Sequence, residues 1–152
     1  MIDKQLAEFL ESGLPMYLGT RNGRLEPNGV RITAVRIEPD GTRLVAYIPT
    51  SVADSVLPDL QDNGHAAIVL GRPTDHRTVQ IKGQFLGIVD DADADRDLVL
   101  AQWENMLRSF EQIGLPREPT AAWTMWPCIA VRLRVTGLFS QTPGPGAGAA
   151  LS

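Results

Sequence analysis

A chain of 152 residues with a formal net charge of −4, 43% hydrophobic residues and one cysteine suits a single domain with its own apolar core. A lone thiol forms no intrachain disulfide, and with two histidines it falls short of the four ligands of a structural zinc site. The acidic balance argues against a general nucleic-acid binder, and no apolar run approaches the roughly 18 residues of a membrane-spanning helix, so the expectation is a soluble cytoplasmic protein.

In chain order, Asp3 is placed to cap a helix over residues 3–12, with Leu6, Phe9 and Leu10 at helical spacing and Gly13 and Pro15 as stops. MYLGT at 16–20 reads as a strand, and RNGR at 21–24 holds the Asn-Gly pair of tight hairpins. GVRITAVRIE at 29–38 reads as one strand, followed by the turn PDGT and a further strand, RLVAYIP, at 43–49. Pro58 is tolerated only in a first helical turn, which predicts a helix starting near Asp54 or Ser55 and ending at Gly64. HAAIVLGR at 65–72 and a long strand from Arg77 to about Asp90 come next.

The clearest helix lies between Asp90 and Pro116. It is acidic at its start and carries Val99, Trp103, Met106, Leu107, Phe110 and Ile113 as one apolar stripe, read as core or subunit interface. A last strand at 128–140 alternates Ile129, Val131, Leu133 and Val135 inward with Arg132 and Arg134 outward. Residues 1–140 form one domain and 141–152 a Gly/Pro-rich C-terminal tail whose composition predicts a loose terminus. Short, mostly hairpin-linked strands with few helices predict a mainly β fold, a small antiparallel barrel with flanking helices.

No GxSxG, HExxH, P-loop or GxGxxG pattern precedes a helix. His65 and His76 fall at a strand start and in a turn, where solvated or capping roles account for them. Cys128, heading an apolar strand, reads as a small buried hydrophobe. The acids at 90–97 suit a helix N-terminus rather than a metal site, so neither a metal site nor a catalytic residue is assigned. Cations on strands stand out instead. Along RTVQIKG, 77–83, Thr78, Gln80 and Lys82 share one face and Arg77, Val79 and Ile81 the other, leaving a polar face open to water or to a ligand.

The succession of RITAVR at 31–36, AYIPTS at 46–51 opening into a helix, and RTVQIKG after one more strand resembles the pyridoxamine-phosphate-oxidase-like FMN-binding split-barrel family. The resemblance covers residues 14 to about 90 well and the last strand loosely. It implies a homodimeric, six- or seven-stranded antiparallel split barrel that holds FMN in the cleft between subunits, an oxidoreductase on a small molecule the sequence does not identify. Arg31 matches the family's phosphate-binding arginine, Arg36 takes the place of its lysine, and Thr50 and Ser51 match its strand-end hydroxyls. The polar face of RTVQIKG, with Thr78 and Lys82, would line the cofactor cleft, with Arg77 at the head of the strand as a further cofactor contact and Gly83 allowing close backbone approach. Tyr47 is counted with the cofactor-binding residues, and Arg36, Tyr47 and Trp126 are also candidates for positioning a substrate.

One departure opens a second reading. Asp54, Ser55 and Val56 stand where the family usually places basic residues against the phosphate, and a carboxylate there repels it. The alternative is a non-catalytic binding module that has lost tight FMN binding or holds another planar ligand, haem or a deazaflavin. A purely structural interaction domain is the third. With two histidines in the chain, axial haem ligation is less favoured than flavin. The glycine-rich tail offers backbone N–H groups to an anion, and Trp123 and Trp126 in AAWTMWP read either as a dimer seam or as a wall over a ligand ring.

Overall fold

The computed structural model describes residues 1–151. Among them, seven antiparallel strands form one sheet: β1 (Met16–Arg21), β2 (Pro27–Ile32), β3 (Ala34–Ile37), β4 (Arg43–Pro49), β5 (His65–Gly71), β6 (Thr78–Val89) and β7 (Cys128–Ser140). Their order across the sheet is β2-β1-β5-β6-β7-β4-β3. The two outermost strands, β2 and β3, are consecutive in the chain and separated by Thr33 alone, so the sheet curls until its edges meet. The expected mainly β split barrel with flanking helices is the observed architecture.

The closure corrects one expectation. Residues 29–38 are not a single strand: β2 pairs with β1, and β3 pairs with β4 on the opposite margin of the sheet. Buried Thr33 makes the turn, its N–H donating to the Tyr47 carbonyl at 2.9 Å and its hydroxyl to the Met125 carbonyl at 2.9 Å. The β-branched run passes through this corner unbroken, so its pattern carries no sign of the bend. The hairpin before it also differs from the tight turn expected. Asn22–Glu26 form a longer loop in which the Asn22 side chain accepts from Arg24 N–H at 2.9 Å and Glu26 N–H at 3.1 Å, with Leu25 at φ 65°.

Leu18, Leu44, Ile48, Ile68, Leu70, Ile81 and Leu133 are fully buried inside the barrel. Each such side chain contributes roughly 1.5–3 kcal/mol relative to exposure. Helix α1 (Lys4–Leu10) starts where Asp3 accepts from the Leu6 N–H at 2.8 Å, and it buries Phe9 and Leu10 on this core. The helix expected from Asp54 is two short ones, α2 (Thr50–Ala53) and α3 (Leu57–Asn63), parted by a turn that buries Val56. Pro58 sits in the first turn of α3, where its missing N–H costs nothing, and Gly64 at φ 73° ends it.

A 3-10 turn at Ala92–Asp95 leads into α4 (Arg96–Gln112), which lies against β3. Of the apolar stripe, Val99, Trp103 and Met106 are buried while Ile113 is 47% exposed, so the C-terminal end of the helix leaves the barrel. No helix among the described residues is long and apolar enough to cross a membrane.

The tail departs most from its composition. β4 pairs with β7 only as far as Arg134, leaving the last residues of β7 with a free edge. Residues 141–151 turn back onto it: Ser140 N–H donates to Ala149 at 2.8 Å and Leu151 N–H to Leu138 at 2.8 Å. Gly148, at φ 88°, makes the reversal that a side chain would strain.

Candidate functional site

Arg31 and Tyr17 face one another across the β1–β2 ladder. Arg31 Nη2 donates to the Tyr17 hydroxyl at 2.8 Å, and its guanidinium carbon lies 5.1 Å from the Tyr17 ring centre and 3.6 Å from that of Trp123. Nη1 is buried and has no hydrogen-bond partner among the described residues. Leaving a buried N–H unpaired costs about 1–3 kcal/mol, more when it is charged, so this atom calls for an acceptor. Arg31 lines an open-sided cavity of about 300 Å³ together with Thr33, Pro49, Ser51, Val52, Trp103 and Trp123. A cation, a hydroxyl and aromatic walls suit a ligand with an anionic group on an apolar body.

Of the residues expected to hold a cofactor, Arg31 and Ser51 meet in this cavity. Thr50, the exposed neighbour of Ser51, gives its amide to the Pro127 carbonyl at 2.9 Å. Arg36 and Tyr47 lie together elsewhere, bound to Asp95: Arg36 Nε donates to the carboxylate at 3.1 Å and to the Tyr47 hydroxyl at 3.3 Å, and that hydroxyl also donates to Asp95. Burial, then the bond to Asp95, pushes the Tyr47 phenol well above its ordinary range. Arg36 is thereby engaged inside the chain.

At the start of β6, the Arg77 guanidinium lies 4.0 Å from the Phe9 ring centre, while the Thr78 hydroxyl donates to the His76 carbonyl at 2.9 Å and its N–H to Thr142 at 3.0 Å. Lys82 lines a larger hollow, about 570 Å³, with Arg21 and His65, its Nζ 5.0 Å from the Phe139 ring centre. The alternation expected along 78–82 holds, with Val79 and Ile81 buried and Lys82 exposed. Gly83, however, makes its close approach to β7: a Cβ there would sit 3.2 Å from the Arg134 carbonyl oxygen. The larger hollow is the weaker candidate, because exposed Lys82 is hydrated by bulk water and the buried Arg31 Nη1 is not.

The departure at 54–56 leaves the cavity intact. Asp54 is exposed, Val56 is in the core, and neither lines it. Cys128 is buried, its thiol pushed up to about 11 by burial and donating to the Met125 carbonyl at 3.0 Å, which makes it unreactive. No cluster of metal-ligating side chains occurs among the described residues.

Three contributions were not read from the sequence. The partnership of Tyr17 with Arg31 follows from a register set by the 22–26 loop. That of Trp123 depends on the course of the segment after α4, which carries no local signal. Asp95 showed itself only as one of several helix-start acids.

No protein-family model and no curated protein matches the chain. Solved structures do. An F420 reductase superimposes with a TM-score of 0.58 at 17% identity, covering 85% of this chain and 91% of its own. Group A Streptococcus HupZ gives 0.57 at 14% identity, covering 96% and 99%. An FMN-binding protein from Syntrophomonas wolfei gives 0.55 at 9% identity, covering 88% and 82%. At these identities the matches show the fold, which is the split barrel of pyridoxamine-phosphate-oxidase-like proteins.

Proposed function

We propose that this chain is an FMN-binding flavoprotein of the pyridoxamine-phosphate-oxidase-like superfamily, an oxidoreductase acting on a small molecule. The observation that carries the reading is the buried Arg31 Nη1 without a hydrogen-bond partner, on the wall of a cavity that also holds the Ser51 hydroxyl and two tryptophans. A flavin mononucleotide phosphate supplies the acceptors Arg31 needs, in the paired geometry a guanidinium favours. The names of two fold neighbours, an FMN-binding protein and an F420 reductase, support a flavin-type cofactor.

When bound, the flavin supplies hydride chemistry. The chain's part is to hold the phosphate with Arg31 and Ser51 and to exclude water with Trp103, Trp123 and Val52. No general base is assigned. Arg36, committed to Asp95, does not hold the phosphate in this reading. No histidine lines the cavity, which favours flavin over haem.

The cavity is open on one side, and a second copy of the chain closes it in this proposal. Lys82, which lines a different hollow from Arg31 within one chain, is then available from the partner. A mass in solution twice the 16.5 kDa of the chain supports the dimer, and a monomer at working concentration overturns it.

The deciding test is a titration of the purified protein with FMN, followed by calorimetry and visible absorbance. Arg31→Ala is expected to weaken binding by roughly 10- to 100-fold, the range for a lost hydrogen bond to a charged group. A colourless protein that takes up neither FMN nor a deazaflavin refutes the reading.

A further inference from the structure

Trp123 lies in segment 113–127, which joins α4 to β7 as a strap fixed at both ends. At one end Arg117 donates to both carboxylate oxygens of Glu104, at 3.0 and 2.7 Å, and to Glu111 at 2.6 Å. At the other, the Met125 carbonyl accepts from the Thr33 hydroxyl at 2.9 Å and from the Cys128 thiol at 3.0 Å. Between these anchors Trp123 packs at a steep angle against Trp103 (6.1 Å, 68°) and Phe110 (6.3 Å, 83°). The Arg31 guanidinium carbon lies over its ring, 3.6 Å from the centre.

A guanidinium on a long side chain has many rotamers, and an anion that must order it loses affinity to that entropy. A carboxylate partner would order it but would also neutralise it and compete with the anion. Arg31 makes no salt bridge among the described residues. The aromatic contact orients the cation while leaving its charge and its Nη1 N–H unspent. Because the guanidinium already lies over the Trp123 ring, that face is not available to stack on a ligand ring.

We propose that Trp123 is a positioning residue for Arg31, acting on a ligand's phosphate through the guanidinium rather than on the ligand's ring. The inference rests on the flavin-phosphate reading above, and the experiment separates the two. FMN and riboflavin, which differ by the phosphate, are titrated against the wild type, Trp123→Ala and Trp123→Leu. The leucine variant keeps apolar bulk against Trp103 and Phe110, and so carries the test should the alanine variant fail to fold.

The expected result is a loss of about 10-fold in FMN affinity with riboflavin affinity unchanged. Arg117→Ala, which frees one end of the strap, is expected to shift FMN binding in the same direction and to spare riboflavin. Equal losses for both ligands would identify a stacking wall and overturn the proposal; so would no loss for either. If riboflavin is too weak to titrate against the wild type, the affinity resides in the phosphate, and an undiminished FMN affinity in the variants overturns the proposal on its own. A wild type that binds neither ligand refutes the flavin reading itself, and the role of Trp123 with it.

Discussion

Gln102 bonds both main-chain groups of Val35, its Nε2 donating to the carbonyl at 2.7 Å and its Oε1 accepting from the N–H at 3.2 Å. β3 ends the sheet order, with β4 as its one ladder partner, so these groups belong to an otherwise open edge. One amide side chain of α4 thus stands in for a missing strand, and the Glu11 carboxylate does the same for the Ile37 N–H at 2.6 Å. Edge strands left uncovered are sites of unwanted pairing, and here the helices cover the edge with polar groups.

Gln102→Leu keeps the volume and removes both bonds. Two buried main-chain groups left unpaired cost about 1–3 kcal/mol each. At roughly 2–4 °C per kcal/mol for a chain of this size, the melting temperature is expected to fall by about 4–24 °C. Calorimetric melting of the variant checks this, and an unchanged midpoint would mean that water satisfies Val35.

Alkaline pH is expected to destabilise the fold, through Cys128 first. Burial raises its folded-state pKa from 9.0 to about 11, so the unfolded chain releases this proton earlier as pH rises. The contribution is therefore complete below pH 9.0 and is lost as pH climbs to about 11. A shift of this size corresponds to at most about 3 kcal/mol. Tyr47, also raised by burial, extends the loss above its ordinary value of 10.0. Urea unfolding midpoints across this window should decline in the wild type and decline less steeply in Cys128→Ala.

Truncation after Ser140 should destabilise the chain and promote its association. It removes the bonds that Ala149 and Gly148 make with Ser140 and the one that Leu151 makes with Leu138, and so reopens the free edge of β7. Light scattering and thermal melting of the truncated chain would register the two effects. A variant that remained as stable and as dispersed as the wild type would show the tail to be dispensable.

What the sequence made legible and what it hid divide along the range of the interactions. Alternating Val79 and Ile81, the Asp3 cap and the Val99, Trp103 and Met106 part of the stripe on α4 are read within one element, and each appears where the local pattern placed it. The corner at Thr33 was hidden because β-branched residues continue on both sides of it, and only the two ladders beyond show that the chain changes partner. The tail was misleading for a related reason: glycine and proline lower the intrinsic preference for order but do not forbid pairing with a free edge. At the site, Arg31 and Ser51 came from a resemblance that marks strands. The contacts of Arg31 with Tyr17 and Trp123 depend on loop length and chain course, which residue patterns do not encode.

The two arginines of β2 and β3 separate phosphate binding from structure. Arg31 has a donor without an acceptor and lines the cavity, whereas Arg36 Nε is shared between Asp95 and Tyr47. Removing Arg36 leaves a partly buried carboxylate bonded to the Tyr47 phenol without the cation, and it removes one of the two bonds that pin the 3-10 turn leading into α4. The ion pair is about a quarter exposed on each side, 29% and 24%, so solvent screening limits the loss to about 1–2 kcal/mol. Arg36→Ala should therefore lower the melting temperature by several degrees while leaving FMN affinity within about 2-fold of wild type. Arg31→Ala should do the reverse, weakening FMN by at least about 10-fold with little change in melting, because the loss of its bond to Tyr17 and its contact with Trp123 is offset by removal of the buried Nη1 N–H that the ligand-free fold leaves without a partner. Parallel melting and FMN titration of the two variants distinguishes them. Equal effects on FMN would place Arg36 at the phosphate after all and would require its bond to Asp95 to open on binding.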